Sequence, residues 1–466
     1  MWRKGEERIE RDALGEVAVP AWAYWGAQTQ RAVANFPVSG ERIPVGLVRA
    51  LGLVKRAAAV ANRDLGELPA DLADAVAVAA AEVAAGRWDE HFPVDVFQTG
   101  SGTSWHMNAN EVIANRACEL LGAPLGRRAP VHPNDHVNRG QSSNDVIPTA
   151  IQLANRRAAA GLADELGRLA AALEAKSAQF ADVIKLGRTH LQDAVPMTLG
   201  QEVSGWAAQV AAGRDRIVGT FPRLEELPIG GTAVGTGLGA HPGFAPRVVA
   251  LLAEATGLPL RISPNRFAAL AARDPQVEFM GAANSVAVAL ARIAHDLRLL
   301  ASGPRGGLGE IVLPALQPGS SMMPGKVNPV IPEMVAQVAA RVMGQQVTVA
   351  VAGQAGPLQL NTMLPLIARE VLTACSLLEN ACRLLRERCI EGLVADAGRC
   401  AAAVAGSLAL ATPLAARVGY DRAAAIAHRA WREGRTVRDV AVAEGAVTAE
   451  EADLLFDPRR LLGPPS

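Results

Sequence analysis

The stretch from Pro318 to Pro329 reads PGSSMMPGKVNP, with two glycines, two serines and one lysine in a single turn-rich loop. Glycines leading into a lysine suggest a phosphate cradle, but that cradle requires G-x-x-x-x-G-K followed by Ser or Thr to hold magnesium. Here five residues separate Gly319 from Gly325, and Val327 follows Lys326, so the nucleotide reading fails on both counts. Three other segments are as dense in small polar groups. TGSGTSWHMNANE (99–111) carries Ser101, Gly102, Thr103, Asn108 and Asn110, and its plain reading is a Gly-rich turn capping a helix. HPNDHVNRGQSSND (132–145) carries His132, Pro133, Asn134, Asp135, His136 and Asn138, then Ser142, Ser143, Asn144 and Asp145. His132 and His136 stand four apart and imitate a zinc helix, but Pro133 lies between them and the glutamate of H-E-x-x-H is missing. Ser-Ser-Asn-Asp ahead of VIPTAIQLA is an N-cap cluster, and a helix N-terminus with free N–H groups is itself an anion site. GRTHLQDAVPMTLGQE (187–202) places Thr189 and His190 ahead of a helix, where a lone histidine is as readily structural as catalytic. The four segments collect hydroxyls, amides, one imidazole and one ammonium, and they bring no metal-ligand cluster and no cofactor fingerprint. Such a set suits a small, multiply anionic substrate held by hydrogen bonds, with no metal and no cofactor.

The elements that must position these groups are helical. Leu162, Leu166, Leu169 and Leu173 are spaced 4-3-4. Val203, Val210, Ile217 and Leu224 repeat every seven residues, with Trp206 between. Val286, Leu290, Ile293, Leu297 and Leu300 form a similar stripe, as do Val335, Val338, Val342 and Val349. Sustained 3-4 spacing predicts bundled helices. The residues between the stripes are often Ala, so these helices are apolar nearly all round and call for neighbours on several sides, which several associated chains supply. Pro and Gly cluster at 122–135, 227–244 and 302–329, the last two long enough to read as functional loops. Strand signal is thin; EVAVPAWAYWG (16–26) suggests one short hairpin. The expected organisation is three mostly helical domains: 1–140, a long-helix bundle over 141–363, and a small helical domain over 364–466.

Lys plus Arg and Asp plus Glu both total 46, so the balance gives no reason to expect a nucleic acid or anionic membrane partner. The charged N-terminus MWRKGEERIERD lacks the apolar core of a signal peptide, and no run of about 18 uncharged apolar residues marks a membrane span. Five cysteines without a C-x-x-C pair fit reduced thiols in the cytoplasm. Arginines number 41 and lysines 5, yet one lysine stands at 326, where a compact ammonium differs most from a planar fork.

The four segments, in this order, resemble class II fumarases, within the superfamily that includes aspartase and argininosuccinate lyase. GSSMMPGKVNP resembles the superfamily signature, and TGSGT, HPNDHVN-x-x-QSSND and GRTHLQDA are similarly specific; the likeness runs from about Ile9 to GYDRAAAIAHRAWREGRTVRD. The resemblance implies a mainly α, three-domain fold whose long helices pack into a twenty-helix core in a homotetramer, with each active site shared by three subunits. It implies reversible hydration of fumarate to (S)-malate without a metal, through an aci-carboxylate. By residue, it implies Ser320 as base, His190 in acid/base work and Glu333 as the partner that orients it. Substrate contacts would come from Ser101, Gly102, Thr103, Ser142, Ser143, Asn144, Thr189, Ser321, Lys326, Val327 and Asn328. His132, Pro133, Asn134 and Asp135 match a second, non-catalytic dicarboxylate site. The rival on the same scaffold is aspartate ammonia-lyase, toward which NPVIPE (328–333) leans, whereas His190 favours fumarase because aspartases resemble GRTQLQDA there. Two positions depart from the family's usual text: His106, beside Trp105, stands where Asn is usual, and Gly239 stands where Asn is common.

Overall fold

The computed structural model describes residues 5–462. Its main elements, in chain order, are strands β1 (Glu7–Asp12) and β2 (Gly15–Pro20) and helices α1 (Val45–Asp64), α2 (Ala70–Ala84), α3 (Thr103–Leu120) and α4 (Ser143–Gln179). Strands β3 (Ile184–Thr189) and β4 (Gln192–Thr198) follow, then helices α5 (Leu199–Gly219), α6 (Asp274–Leu300), α7 (Val330–Gly353) and α8 (Leu364–Leu385). Short helices complete the chain, among them Ala397–Gly406, Tyr420–Glu433 and Ala449–Leu455. The fold is mainly α, as the spacing of apolar residues predicts.

The leucine stripe at 162, 166, 169 and 173 is fully buried on α4, and the Val286 to Leu300 stripe is buried on α6. Each such side chain contributes about 1.5–3 kcal/mol by leaving water. Two stripes are modified. The 201–226 repeat is not one helix: α5 ends at Gly219, and a separate turn, Phe221–Leu224, carries Leu224 inward. On α7, Val338 is only half-buried and Ala339 takes the core position. By length and composition alone α6 could cross a membrane. Two of its polar residues are instead bonded to α5: Trp206 Nε1 donates to Asp296 and Arg292 donates to Gln209.

The chain divides into two compact units, and the division falls inside each of the five long helices α4 to α8. The first unit comprises the described residues up to 163, with 215–285 and 341–378. Its core includes Leu47, Leu51 and Val54 of α1, Val76 and Val83 of α2, Trp105 and Ile113 of α3, and Ile147 and Ile151 of α4. β1 and β2 pair antiparallel, Glu7 opposite Pro20 and Asp12 opposite Gly15. The hairpin expected within 16–26 therefore forms with the residues before it. Glu111 of α3 anchors the segment that follows, accepting from the backbone N–H groups of Gly26, Gln28 and Thr29.

The second unit comprises 164–214, 286–340 and the described residues from 379. It holds the β3–β4 hairpin and the loop 302–329. The C-terminal helices have a core of their own, built on Leu410, Leu414, Ile426, Val437 and Val440.

Candidate functional site

In the first unit the sequence brings hydroxyls together at two helix starts. Gly102 adopts φ 71 at the N-cap of α3, a left-handed conformation that suits a residue without Cβ. It turns the chain so that Ser101 and Thr103 lie side by side, with Oγ atoms 2.8 Å apart. Thr103 Oγ1 donates to Ser143 Oγ at 2.8 Å, which joins the start of α3 to the start of α4. Ser142 caps α4, its Oγ accepting from Asn144 N at 3.2 Å. Asn144 Nδ2 donates to Ala233 O at 2.8 Å, so the loop after 227 is tied to the same helix start.

Beneath these residues lies Asp145, fully buried. Its carboxylate accepts from Ser142 N, Gly230 N and Thr232 N, at 2.9–3.0 Å. Burial raises its pKa from 3.8 to about 6, against those three bonds and the charge of Lys55, which lower it. Lys55 of α1 is also fully buried. Its Nζ lies 2.7 Å from His106 Nε2, 2.8 Å from Gln141 Oε1 and 3.2 Å from Asn138 Oδ1. Burial pushes Lys55 well below the usual amine range, and the Asp145 carboxylate raises it. Burial, with the charge on Lys55, holds His106 well below the usual imidazole range.

The segment His132–Asp135 forms a separate turn. Pro133–Val137 is a π-helical turn, with Pro133 buried and Asn134 and Asp135 exposed. His132 Nδ1 accepts from the N–H groups of Asn134 and Asp135 at 3.3 Å. The same atom is 3.2 Å from Asp135 Oδ2. It cannot hold a proton for that carboxylate and also accept; burial lowers the His132 pKa, so the accepting role stands. His136 Nδ1 accepts from His132 N at 2.8 Å, so both imidazoles cap backbone N–H groups.

In the second unit, His190 is not in a loop ahead of a helix, as its sequence context suggests. It occupies, with Leu191, the two-residue turn between β3 and β4, at φ 53 and φ 61. Positive φ at both positions fits the type I′ geometry that matches strand twist, although Asn-Gly is the usual text. His190 and Thr189 are exposed at this tip. Below the tip a charged network holds the strand. Lys185 Nζ pairs with Glu202 at 2.7 Å and Glu310 at 3.1 Å, and Arg188 pairs with Glu310 at 2.7 Å.

The loop around Ser320 is closed by backbone. Gly319 N donates to Lys326 O at 2.7 Å, and Asn328 Nδ2 donates to Gly319 O at 2.6 Å. A Cβ on Gly319 would lie 2.8 Å from Asn328 N, so glycine is required. Within the loop, Ser320 Oγ accepts from Met322 N at 3.1 Å and Met323 N at 2.9 Å. Ser321, Lys326 and Val327 are exposed. Lys326, Val327, Asn328 and Glu333 line a cavity of about 870 Å³ together with Arg298 and Asp396. Among the described residues no hydrogen bond or ion pair joins Glu333 to His190. Neither Lys55 nor the Lys185–Glu310 pair is marked by any local motif. The scarcity of lysine was a usable signal, since Lys55 and Lys185 are two of only five.

A family model described as "Lyase" matches residues 15–344, and one described as "Fumarase C C-terminus" matches residues 410–463. The fumarate hydratase class II of Methylorubrum extorquens is 50% identical over 460 residues, covering 98% of each chain. The mitochondrial fumarate hydratase of Homo sapiens is 49% identical over 460 residues, covering 98% of this chain and 90% of that one. The crystal structure of class II fumarase from Schistosoma mansoni superposes with a TM-score of 0.95 at 39% identity, over 99% of this chain and 100% of that one. A fumarate lyase:delta crystallin structure from Brucella melitensis does so with a TM-score of 0.94 at 47% identity, over 98% and 100%. With its polar segments, its long helices and both terminal regions matched, the chain belongs to the class II fumarate hydratase family, hydro-lyases that interconvert fumarate and malate.

Proposed function

We propose that this fumarate hydratase works by acid–base catalysis with Ser320 as the base, through an aci-carboxylate, to give (S)-malate from fumarate. In the malate direction, the C3–H bond breaks and its proton goes to the Ser320 oxygen. The electron pair moves into the adjacent carboxylate, which then carries two negative charges. Expulsion of the C2 hydroxyl, protonated as water, completes the elimination. A serine hydroxyl is a poor base near neutral pH, so its alkoxide needs donors aimed at it. The observation that carries this reading is the pair of N–H groups, from Met322 and Met323, that Ser320 Oγ already accepts.

The charge that develops on substrate is met by Lys326, the ammonium in the cavity. Val327 and Asn328 line the same cavity, Ser321 adds a further contact from the loop, and Asn328 also closes the loop. Ser101, Gly102, Thr103, Ser142, Ser143, Asn144 and Thr189 supply the remaining dicarboxylate contacts. His190, oriented by Glu333, relays the proton to the leaving hydroxide through water. The turn His132–Pro133–Asn134–Asp135 serves as a second dicarboxylate site. None of these roles calls for a metal or an organic cofactor.

The assembly belongs to the same proposal: a homotetramer with a twenty-helix core and sites shared by three subunits. The exposed Val288 on α6, Val218 on α5 and Val347 and Val351 on α7 support it, since an isolated chain leaves them in water. The exposed His190 supports it too, because among the described residues nothing joins it to Glu333 and Glu333 of another subunit can complete it. The domain division 1–140, 141–363 and 364–466 fits helix starts at Ser143 and Leu364. Five buried free cysteines suit a reducing compartment such as the cytoplasm.

The test is Ser320→Ala with oligomeric mass checked. The expected loss in kcat is at least about 100-fold, the low end of general-base effects. Near-normal turnover places the base elsewhere. In the same assay of fumarate absorbance, malate is expected to exceed aspartate in kcat/KM by about 1,000-fold or more.

A further inference from the structure

We propose that Lys55 and His106 are positioning residues that set the width of the hydroxyl cluster formed by Ser101, Thr103 and Ser143. The inference rests on the reading that this cluster binds the dicarboxylate. Three stretches distant in sequence meet at one atom, Lys55 Nζ. α1 supplies the lysine, α3 supplies His106 one turn beyond Thr103, and the approach to α4 supplies Asn138 and Gln141. His106 N donates to Gly102 O at 3.0 Å, so any shift of His106 moves the turn that carries Ser101 and Thr103. On the other side, Asn138 Nδ2 donates to Gln141 O, and Gln141 Nε2 donates to Val137 O and Arg139 O. Those bonds close the turn that delivers Ser142, Ser143 and Asn144. The lysine is fully buried, so its hydrogen-bonding capacity is spent on these three neighbours and not on water.

A pinned distance matters because the bond it protects is the Thr103–Ser143 contact between two helix starts. Hydroxyls held at fixed spacing present an anion with donors already in place. Hydroxyls that drift apart must be ordered by the ligand, which weakens binding in ground state and transition state alike and therefore raises KM more than it lowers kcat.

The test compares His106→Leu, His106→Asn and Lys55→Met with the parent, reading KM, kcat and thermal stability for malate and fumarate. His106→Leu keeps the volume and removes the polar contact to Nζ; KM is expected to rise about tenfold or more while kcat stays within about threefold. His106→Asn restores an amide oxygen that can accept from Nζ, and its KM is expected within about threefold of the parent. Lys55→Met removes the His106 contact together with those to Gln141 and Asn138, so its KM is expected to rise at least as far as that of His106→Leu, and the double variant to be no worse than Lys55→Met alone. A merely structural pair would lower stability and leave KM unmoved. KM within about twofold of the parent in His106→Leu, or no rescue by Asn, overturns the proposal. If Lys55→Met does not assemble, the two His106 variants decide alone. A Ser143→Ala control separates the two readings. If its KM is unchanged, the cluster does not bind substrate and this inference falls with that reading; if its KM rises and that of His106→Leu does not, this inference alone fails.

Discussion

The hydroxyl cluster of Ser101, Thr103 and Ser143 and the loop of Ser320 and Lys326 carry similar chemical groups in contrary settings. The cluster sits at helix starts and is bonded to itself. It is underlain by a buried carboxylate and a buried lysine. The loop is exposed from Ser321 to Val327 and is held mainly by its own closure between Gly319, Lys326 and Asn328. The difference follows from the work proposed for each. Groups that only bind gain from being fixed beforehand, since ordering them costs nothing when the ligand arrives. A group that must act as a base is fixed at its oxygen, by two N–H donors, while its reactive side stays open to substrate.

The loop is most vulnerable at Lys326. Replacement by Arg keeps the charge but exchanges a point donor for a bulkier planar one. Because the loop is exposed, thermal stability is expected to be unchanged while kcat/KM falls about 1,000-fold, the upper range for removal of one transition-state donor. An Arg variant that retains most activity reduces Lys326 to a general electrostatic anchor.

Asp145 tests the opposite half, through stability and pH. Its carboxyl has a raised pKa of about 6 in the folded state against 3.8 for the free group. Between those values the folded protein holds a proton that the unfolded chain has lost, so stability falls as pH rises through that window. The loss is on the order of 3 kcal/mol, and it is complete above about pH 6. Asp145→Asn removes this pH dependence, which thermal unfolding at pH 4.5 and pH 7 would reveal. It also leaves one of three backbone donors facing an amide NH2, so the variant is expected to be less stable overall.

Thr103→Val is expected to give a smaller effect. It deletes the link to Ser143 at constant volume, and KM for malate is expected to rise about tenfold with kcat little changed. A fall in kcat alone would give the cluster a role in chemistry and erase the distinction between the two halves. The mildest change is Leu191→Asn at the exposed hairpin tip. Asn tolerates the left-handed conformation that Leu191 holds at φ 61, so a gain of about 0.5–1 kcal/mol is expected, with unaltered turnover. Reduced turnover would mean that Leu191 contacts substrate or another subunit.

Much of the candidate site was legible because its groups are neighbours in the chain. Ser320, Lys326 and Asn328 lie within one loop, and Ser142 to Asp145 form one cap. A local motif carries its own geometry, since turn and cap chemistry depend on residues a few positions apart. The buried leucine stripe on α4 was legible for the related reason that helical period and burial coincide.

Sequence alone thus determined the helical class, the buried stripes, the local caps and the set of polar groups available for a dicarboxylate. Tertiary structure alone decided that His190 turns a hairpin. Neither His nor Leu announces a type I′ turn, and the pairing of β3 with β4 overrides that local preference. It also decided the partners of Lys55 and Asp145. Lys55 meets His106 across 51 positions, and Asp145 meets Gly230 across 85. No periodicity or motif reports such distances, because a buried polar group is paired by whatever the packed core brings to it, and that is settled only when the elements are in place.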